Sequence, residues 1–382
     1  MPSKLTFQMQ NPQGWPQWLK NHIAESGVRM VKILDPDVIG SDPLPGVQTI
    51  GRLYFNNSSD HPLIRRGAAG AREYVAWCLP RIARAPWVHA WEGPNEPEIS
   101  DLESCRWLNE FEHERVQQFH ARGRRAVSYT LGTSHPAGPS NDPLPTIREK
   151  WRILQPAAAI TDYLGPHEYG MRTLDPNPLN TWHVGHYKRG VEVLQGMGRV
   201  PPILITEFGI DYGGNAATDG WRQALGGDEA AYMRQLAARD TEYGADPQVH
   251  GVFIFVWHPH PGQWSSFTMI ESMSYRLAQY VRAQGAFDPG IQPAPDSSGT
   301  SNTDIEQAIA AAIQRHIVPL NPNAALEKAA ATLGLLPACD EVRDVPGIVA
   351  QAFRSPGERQ YQHIAWCKDG DWGNIHWFRR AN

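Results

Sequence analysis

Apolar residues recur over the first 285 positions in short runs separated by longer amphipathic stretches. The runs are LTFQM (5–9), RMVKIL (29–34), TIGRLYF (49–55), WVHAWE (87–92), RAVSYTL (125–131), YLGPHEY (163–169), PILITEF (202–208) and GVFIFVW (251–257). Each reads as a strand. Helical patterns lie between them, at 14–27, 67–85, 101–123, 146–154, 182–198, 227–244 and 272–285. The connection DPDVIGSDPLPGVQ (35–48) has no clear helical period. Parallel neighbours need crossovers, so strands alternating with helices predict a parallel sheet of the α/β class. Eight such units in about 285 residues are the usual size of a closed (β/α)8 TIM barrel. A doubly wound open sheet is the alternative. The count of eight, and the polar residues gathered after the strands, favour the barrel.

The texture changes after Gly285. FDPGIQPAPDSSGTSNTD (287–304) is rich in Pro, Gly, Ser and Asp and reads as a linker. Helices are expected at 305–317 and 323–336, and a β-hairpin around KDGDWGN within 359–380. The expected organisation is therefore a barrel over 1–286, a linker over 287–304 and a small C-terminal α+β module over 305–382. That module offers no paired carboxylates beside an apolar strand end, so it is expected to bind or brace and not to catalyse.

The composition narrows the function. Apolar residues make up 41% and charged residues 20%, as in a soluble globular chain, and the net charge of -5 gives no reason to expect nucleic acid or an anionic membrane as partner. No stretch is long and apolar enough to span a membrane. The N-terminus MPSKLTFQMQ has no apolar signal core, so a soluble protein is expected. Four cysteines without CxxC spacing argue against a zinc or redox site, and Cys78 and Cys105 read as buried thiols on helices. GAAGAREY (67–74) is too loose a match for a phosphate loop, and no cofactor is expected. The chain holds 14 Trp, which suit core packing or flat platforms for sugar rings.

Active sites of (β/α)8 enzymes form where strands give way to βα loops. The fourth strand ends in WEGPNEP, the sixth in PHEYG, the seventh in ITEFGID and the eighth in VWHPHP. Glu96 lies just past strand four, between Asn95 and Pro97. Glu207 ends the apolar run PILI, where surface solvation explains a carboxylate poorly. Pro94 and Pro97 stiffen the loop that carries Glu96. Glu92 falls within strand four and is expected to pair with an Arg or Lys inside the barrel. Glu98 begins an exposed run. His167 and Tyr169 are two apart and share one side of strand six. The histidine pairs in HPHP (258–261) and HVGH (183–186) lack the HExxH zinc spacing and a nearby acidic set, so no metal site is expected.

These residues resemble glycoside hydrolase clan A, the retaining glycosidases on (β/α)8 barrels. In that clan an Asn-Glu pair, often followed by Pro, ends strand four, and a second Glu ends strand seven. The resemblance covers about residues 1–285 in order and spacing. It implies that Glu96 is the acid/base and Glu207 the nucleophile in hydrolysis of a β-linked oligo- or polysaccharide. Asn95 would donate to a sugar 2-hydroxyl. His167 and Tyr169 would surround the nucleophile, with Tyr169 bonded to it. Trp257 would be a sugar platform. Trp264, in HPHPGQW, is a weaker subsite candidate, and Trp182 and Trp221 are weaker still. The sugar, the linkage and the oligomeric state stay open. Two other readings stand beside this one: a metal-dependent barrel hydrolase or isomerase using His167 and the later histidines, and a carbohydrate-binding barrel or scaffold without turnover.

Overall fold

A computed structural model of the chain describes residues 1–55, 57–136, 142–175, 183–288, 336–337, 348–354, 363–368 and 375–379. The chain falls into two compact units, Met1–His120 with Arg124–Ala294, and Ala121–Gly123 with Pro295–Asn382.

The first unit is a closed parallel barrel. Its strands are β1 (Leu5–Met9), β2 (Met30–Leu34), β3 (Gln48–Arg52), β4 (Ala90–Glu92), β5 (Arg125–Ser128), β6 (Tyr163–Leu164), β7 (His167–Gly170), β8 (Ile203–Ile210) and β9 (Val249–Trp257). They run in the order β6-β5-β4-β3-β2-β1-β9-β8-β7, and β6 also pairs with β8, which closes the ring. β6 and β7 share the sixth barrel position. The break falls at Pro166, which has no N–H to give the ladder. The ladder resumes beyond it, where His167 N donates to Leu131 O at 2.8 Å.

Outside the strands lie α1 (Gln17–Ser26), α2 (Asn57–Ile64), α3 (Gly67–Ile82), α4 (Leu102–His120), α5 (Leu144–Ile160), α6 (Tyr187–Gln195), α7 (Trp221–Ala224), α8 (Glu229–Ala245) and α9 (Glu271–Gln284). The helix ends follow local chemistry. Gly27 ends α1 at φ 73°, where a side chain would strain. The Asp228 carboxylate caps α8 by accepting from Ala231 N at 2.9 Å. Cys78 and Cys105 are buried on α3 and α4, as expected. The helix-free connection 35–48 holds only a single 3₁₀ turn, Pro36–Val38. Arg81 of α3 clamps that turn, reaching Asp35 at 2.8 Å and Asp37 at 2.7 Å.

The barrel interior is layered. Met30, Ile50, Ala90, Val127, Tyr163, Leu204 and Phe253 form one apolar cluster, with a residue from nearly every strand. Side chains two apart on a strand share a face, so the next step along three strands puts Lys32, Arg52 and Glu92 directly above that cluster. All three are buried. The apolar layer forms the floor of the site, and the charged layer is its base.

Phe287 falls within the expected linker, yet it belongs to the barrel unit. Ser3 and Ala286 form a β-bridge, Phe287 N donates to Ser3 O at 2.9 Å, and the Lys4 ammonium sits 3.2 Å from the Phe287 ring centre. The second unit holds a four-stranded antiparallel sheet of β10 (Leu336–Pro337), β11 (Ile348–Arg354), β12 (His363–Lys368) and β13 (His376–Arg379), paired in that order. β12 and β13 are the two arms of the expected hairpin. β10 and β11 were not legible in the pattern. Trp366 is buried and stacks on His376 at 4.4 Å. The helix expected at 305–317, nearly all of that expected at 323–336, and Trp372 lie outside the described residues.

Candidate active site

Glu207 stands at the barrel axis because β8 is irregular there. The β8–β9 register shifts between Ile205 and Phe208. An irregularity of this kind re-aims a side chain. One carboxylate oxygen, Oε1, meets Arg52 Nη1 at 3.0 Å and Lys32 Nζ at 3.3 Å, and Gln8 Nε2 donates to it at 3.4 Å. The other, Oε2, accepts from Tyr169 OH at 2.8 Å. The side chain is 8% exposed. Burial alone would raise its pKa. The charges of His167, Lys32 and Arg52, with the Tyr169 hydrogen bond, outweigh burial and hold the carboxyl well below the usual range. Tyr169 moves the opposite way: burial pushes its phenol up and the nearby carboxylates add to this, so it stays a donor.

Glu96 occupies the loop after β4 with φ 44°, a left-handed conformation that non-glycine residues adopt at a cost. Its backbone N–H donates to Thr130 O at 2.9 Å, and Thr130 Oγ1 donates to Pro94 O at 2.5 Å, so the β5 loop pins it. Gly132 lies beside it; a Cβ there would sit 3.5 Å from the Glu96 carboxyl carbon. Glu96 Oε1 is 2.7 Å from His167 Nδ1, and its side chain is 39% exposed. His167 is buried between the two carboxylates, with Nδ1 also 3.6 Å from Glu207 Oε2. Glu96, His167 and Glu207 each present an atom within 4.8 Å of the others.

Five of the seven residues singled out in the sequence gather at one mouth. Glu96, His167, Tyr169 and Glu207 are in direct contact. Trp264 is partly buried at the rim, with its ring 4.9 Å from Phe255 and 5.5 Å from Phe267, and both of those rings pack on Tyr169. Asn95 neighbours Glu96 in sequence, and its buried Oδ1 has no hydrogen-bond partner among the described residues. Trp257 is a correction. It is 1% exposed and packs 4.7 Å from Phe7, in the layer between strands and helices, so it offers no face to a sugar. Phe255, two residues earlier, is the β9 aromatic that faces the site. Trp221 is also core, stacked on Tyr232 at 5.0 Å, and Trp182 lies outside the described residues.

The other glutamates sort by environment. Glu92 is 3.0 Å from Lys32 Nζ inside the barrel, and Glu98 is exposed. Glu168 points away from the mouth and accepts from Tyr243 OH at 2.6 Å and from the Gly185 and Tyr187 amides at 2.7 and 3.1 Å. Behind the loop, buried Arg115 pairs with Glu112 at 2.6 Å and its Nη2 donates to Val127 O at 2.8 Å. A Cβ at Gly93 would come within 2.6 Å of Glu112 Oε1 and 3.1 Å of the Arg115 guanidinium, so a side chain there would have to displace that pair.

Lys32, Arg52 and Gln8 were missed in the sequence. The signal was present: MVKIL and TIGR each place a cation inside an otherwise buried strand. A metal reading of the Glu96, His167 and Glu207 atoms meets an electrostatic objection. Lys32 and Arg52 already neutralise Glu207, and a divalent ion on that carboxylate would face both. His183 instead pairs with Ser134 at 2.9 Å, and His258 with Gln13 O at 3.0 Å. Neither enters a cluster of three metal-type donors among the described residues.

No protein-family model and no curated protein matches the chain. Solved structures do. A GH128 subgroup III curdlan-specific exo-β-1,3-glucanase from Blastomyces gilchristii is 16% identical with a TM-score of 0.41, over 66% of this chain and 89% of that one. A GH128 subgroup I endo-β-1,3-glucanase from Amycolatopsis mediterranei is 13% identical with a TM-score of 0.39, over 72% and 99%. A GH2 β-galacturonidase from Eisenbergiella tayi is 14% identical with a TM-score of 0.45, over 76% of this chain and 52% of that one, so this chain spans about half its length. These likenesses carry no argument about the chemistry, which has to be read from the residues at the mouth.

Proposed function

We propose that the protein is a retaining glycoside hydrolase acting on β-linked sugars, with the chemistry in the barrel unit. The spacing of the two carboxylates carries the reading. One oxygen of Glu96 and one of Glu207 lie within 4.8 Å of each other. Retaining glycosidases hold the pair about 5–5.5 Å apart, whereas inverting ones need about 6.5–9.5 Å to admit a water. The environments divide the labour. Glu207 is buried, ionised and tethered, as a nucleophile must be. Glu96 is reached by solvent and its carboxylate meets the His167 imidazole, which suits a group that gives and then takes a proton. In the first step Glu207 Oε2 attacks the anomeric carbon while Glu96 protonates the leaving oxygen. In the second, Glu96 draws a proton from water, which attacks the glycosyl ester and frees Glu207. The β configuration rests on the clan A likeness of WEGPNEP and ITEFG, and Trp264 is the aromatic best placed to hold a sugar.

A panel of aryl β-glycosides, with the anomer of the first product followed by proton NMR, tests this directly. Retained product formed equally with and without a chelator is expected. Inverted product, or loss of activity to the chelator, would sink the reading.

The electrostatics give a second expectation. Turnover needs ionised Glu207, and its depressed pKa places the acid limb of kcat/KM below the ordinary carboxylate range. Arg52→Met removes one of the cations responsible, so the limb should move to higher pH by about 1–3 units. An unmoved limb would mean that Glu207 does not govern it.

A further inference from the structure

Lys32 neither forms a bond nor passes a proton in the two-carboxylate chemistry, yet it is wholly buried beneath it. Its ammonium lies 3.0 Å from Glu92 Oε2, 3.3 Å from Glu207 Oε1 and 3.0 Å from Thr206 O. One cation is therefore shared between two carboxylates, only one of which faces the mouth. We propose that the buried Lys32–Glu92 pair is a positioning device that sets how firmly Glu207 holds its negative charge, and thereby which of the two displacement steps is slower.

The groups around Glu207 define what the pair acts on. They are Lys32 from β2, Arg52 from β3, Glu92 from β4 through Lys32, Glu96 from the loop after β4, and His167 and Tyr169 from β7. Gln8 from β1 adds a neutral donor. Glu207 is charged before attack, neutral as the glycosyl ester, and charged again when it leaves. A cation on Oε1 weakens it as a nucleophile and improves it as a leaving group. Glu92 draws part of that cation away. Lys32 thus favours breakdown of the ester, and Glu92 favours its formation. This consequence for the steps rests on the glycosidase reading; the effect on the Glu207 charge does not.

The two partners therefore have opposite signs, which a merely structural role would not produce. Glu92→Gln leaves Lys32 wholly to Glu207. The Glu207 titration midpoint, followed by carbon NMR with labelled glutamate, should fall, and kcat/KM on an aryl glycoside should drop about 10-fold. The double variant Lys32→Met with Glu92→Gln removes both charges, so no buried charge is orphaned should Lys32→Met alone fail to fold. Its midpoint should rise by about one unit. Its kcat on a dinitrophenyl glycoside should become limited by ester breakdown, seen as a burst of released phenol that the wild type lacks. Opposite shifts of the midpoint support the proposal even if no glycoside is turned over, and in that event the glycosidase reading alone falls. Midpoints that move the same way, or not at all, overturn it.

Discussion

Glu207→Gln is expected to lower kcat by a factor on the order of 10⁴ or more on every glycoside tested, with the barrel still folded. The amide keeps the volume and cannot form the ester, and removal of a covalent nucleophile costs factors of this size. The fold should register the change too. Glu207 is depressed in the folded state, so its contribution to stability is present above the ordinary carboxylate range and is lost as pH falls through its folded value. The variant lacks that contribution at every pH. Its Tm should lie below the wild type at neutral pH, and the gap should close only in strongly acidic solution. Glu207→Gly opens space for azide on the same face of the sugar, and the expected rescue product is the glycosyl azide of inverted configuration. Near wild-type turnover in Glu207→Gln would remove the nucleophile assignment.

The barrel was legible because its strands are buried on both faces and its helices on one. Those two patterns differ in length and period, and the order of eight survives errors of a few residues at the ends. The 310 turn at Pro36–Val38 fits the missing period of residues 35–48. The carboxylates were legible because Glu96 sits between prolines and Glu207 ends an apolar run. What supports them was harder to read. Lys32 and Arg52 lie on β2 and β3, more than 150 positions from Glu207, and only closure of the ring joins them. Trp257 misled for a local reason. Strict alternation along VFIFVW groups it with Phe253 and Phe255, yet Phe253 fills the barrel, Phe255 faces the mouth and Trp257 packs outward on Phe7. Glu207 escapes alternation in the same way, through the register shift in β8. Irregular strand ends therefore build the site and, at Trp257, defeat a period-two reading.

Glu96→Ala separates substrates by their leaving groups. A dinitrophenolate departs without a proton, so the first step on its glycoside should stay within about 10-fold of wild type. An alkyl or sugar leaving group needs the proton, and kcat/KM there should fall by about 10²–10⁴-fold. The second step loses its base with every substrate. On the activated glycoside, kcat should therefore drop and KM drop with it, as the glycosyl ester on Glu207 accumulates. Azide needs no base. It should restore kcat by attacking the ester from the face Glu96 vacated, and the product should be the glycosyl azide of retained configuration. That is the opposite anomer from the one expected with Glu207→Gly, so the pair of azide products assigns each carboxylate to its own face of the sugar. The short contact to His167 adds a control: His167→Ala takes the partner from Glu96 at 2.7 Å but leaves its carboxyl in place, so the spread between good and poor leaving groups should be smaller than in Glu96→Ala. Equal losses across all leaving groups in Glu96→Ala, or the same azide anomer from both variants, would take the acid/base role away from Glu96.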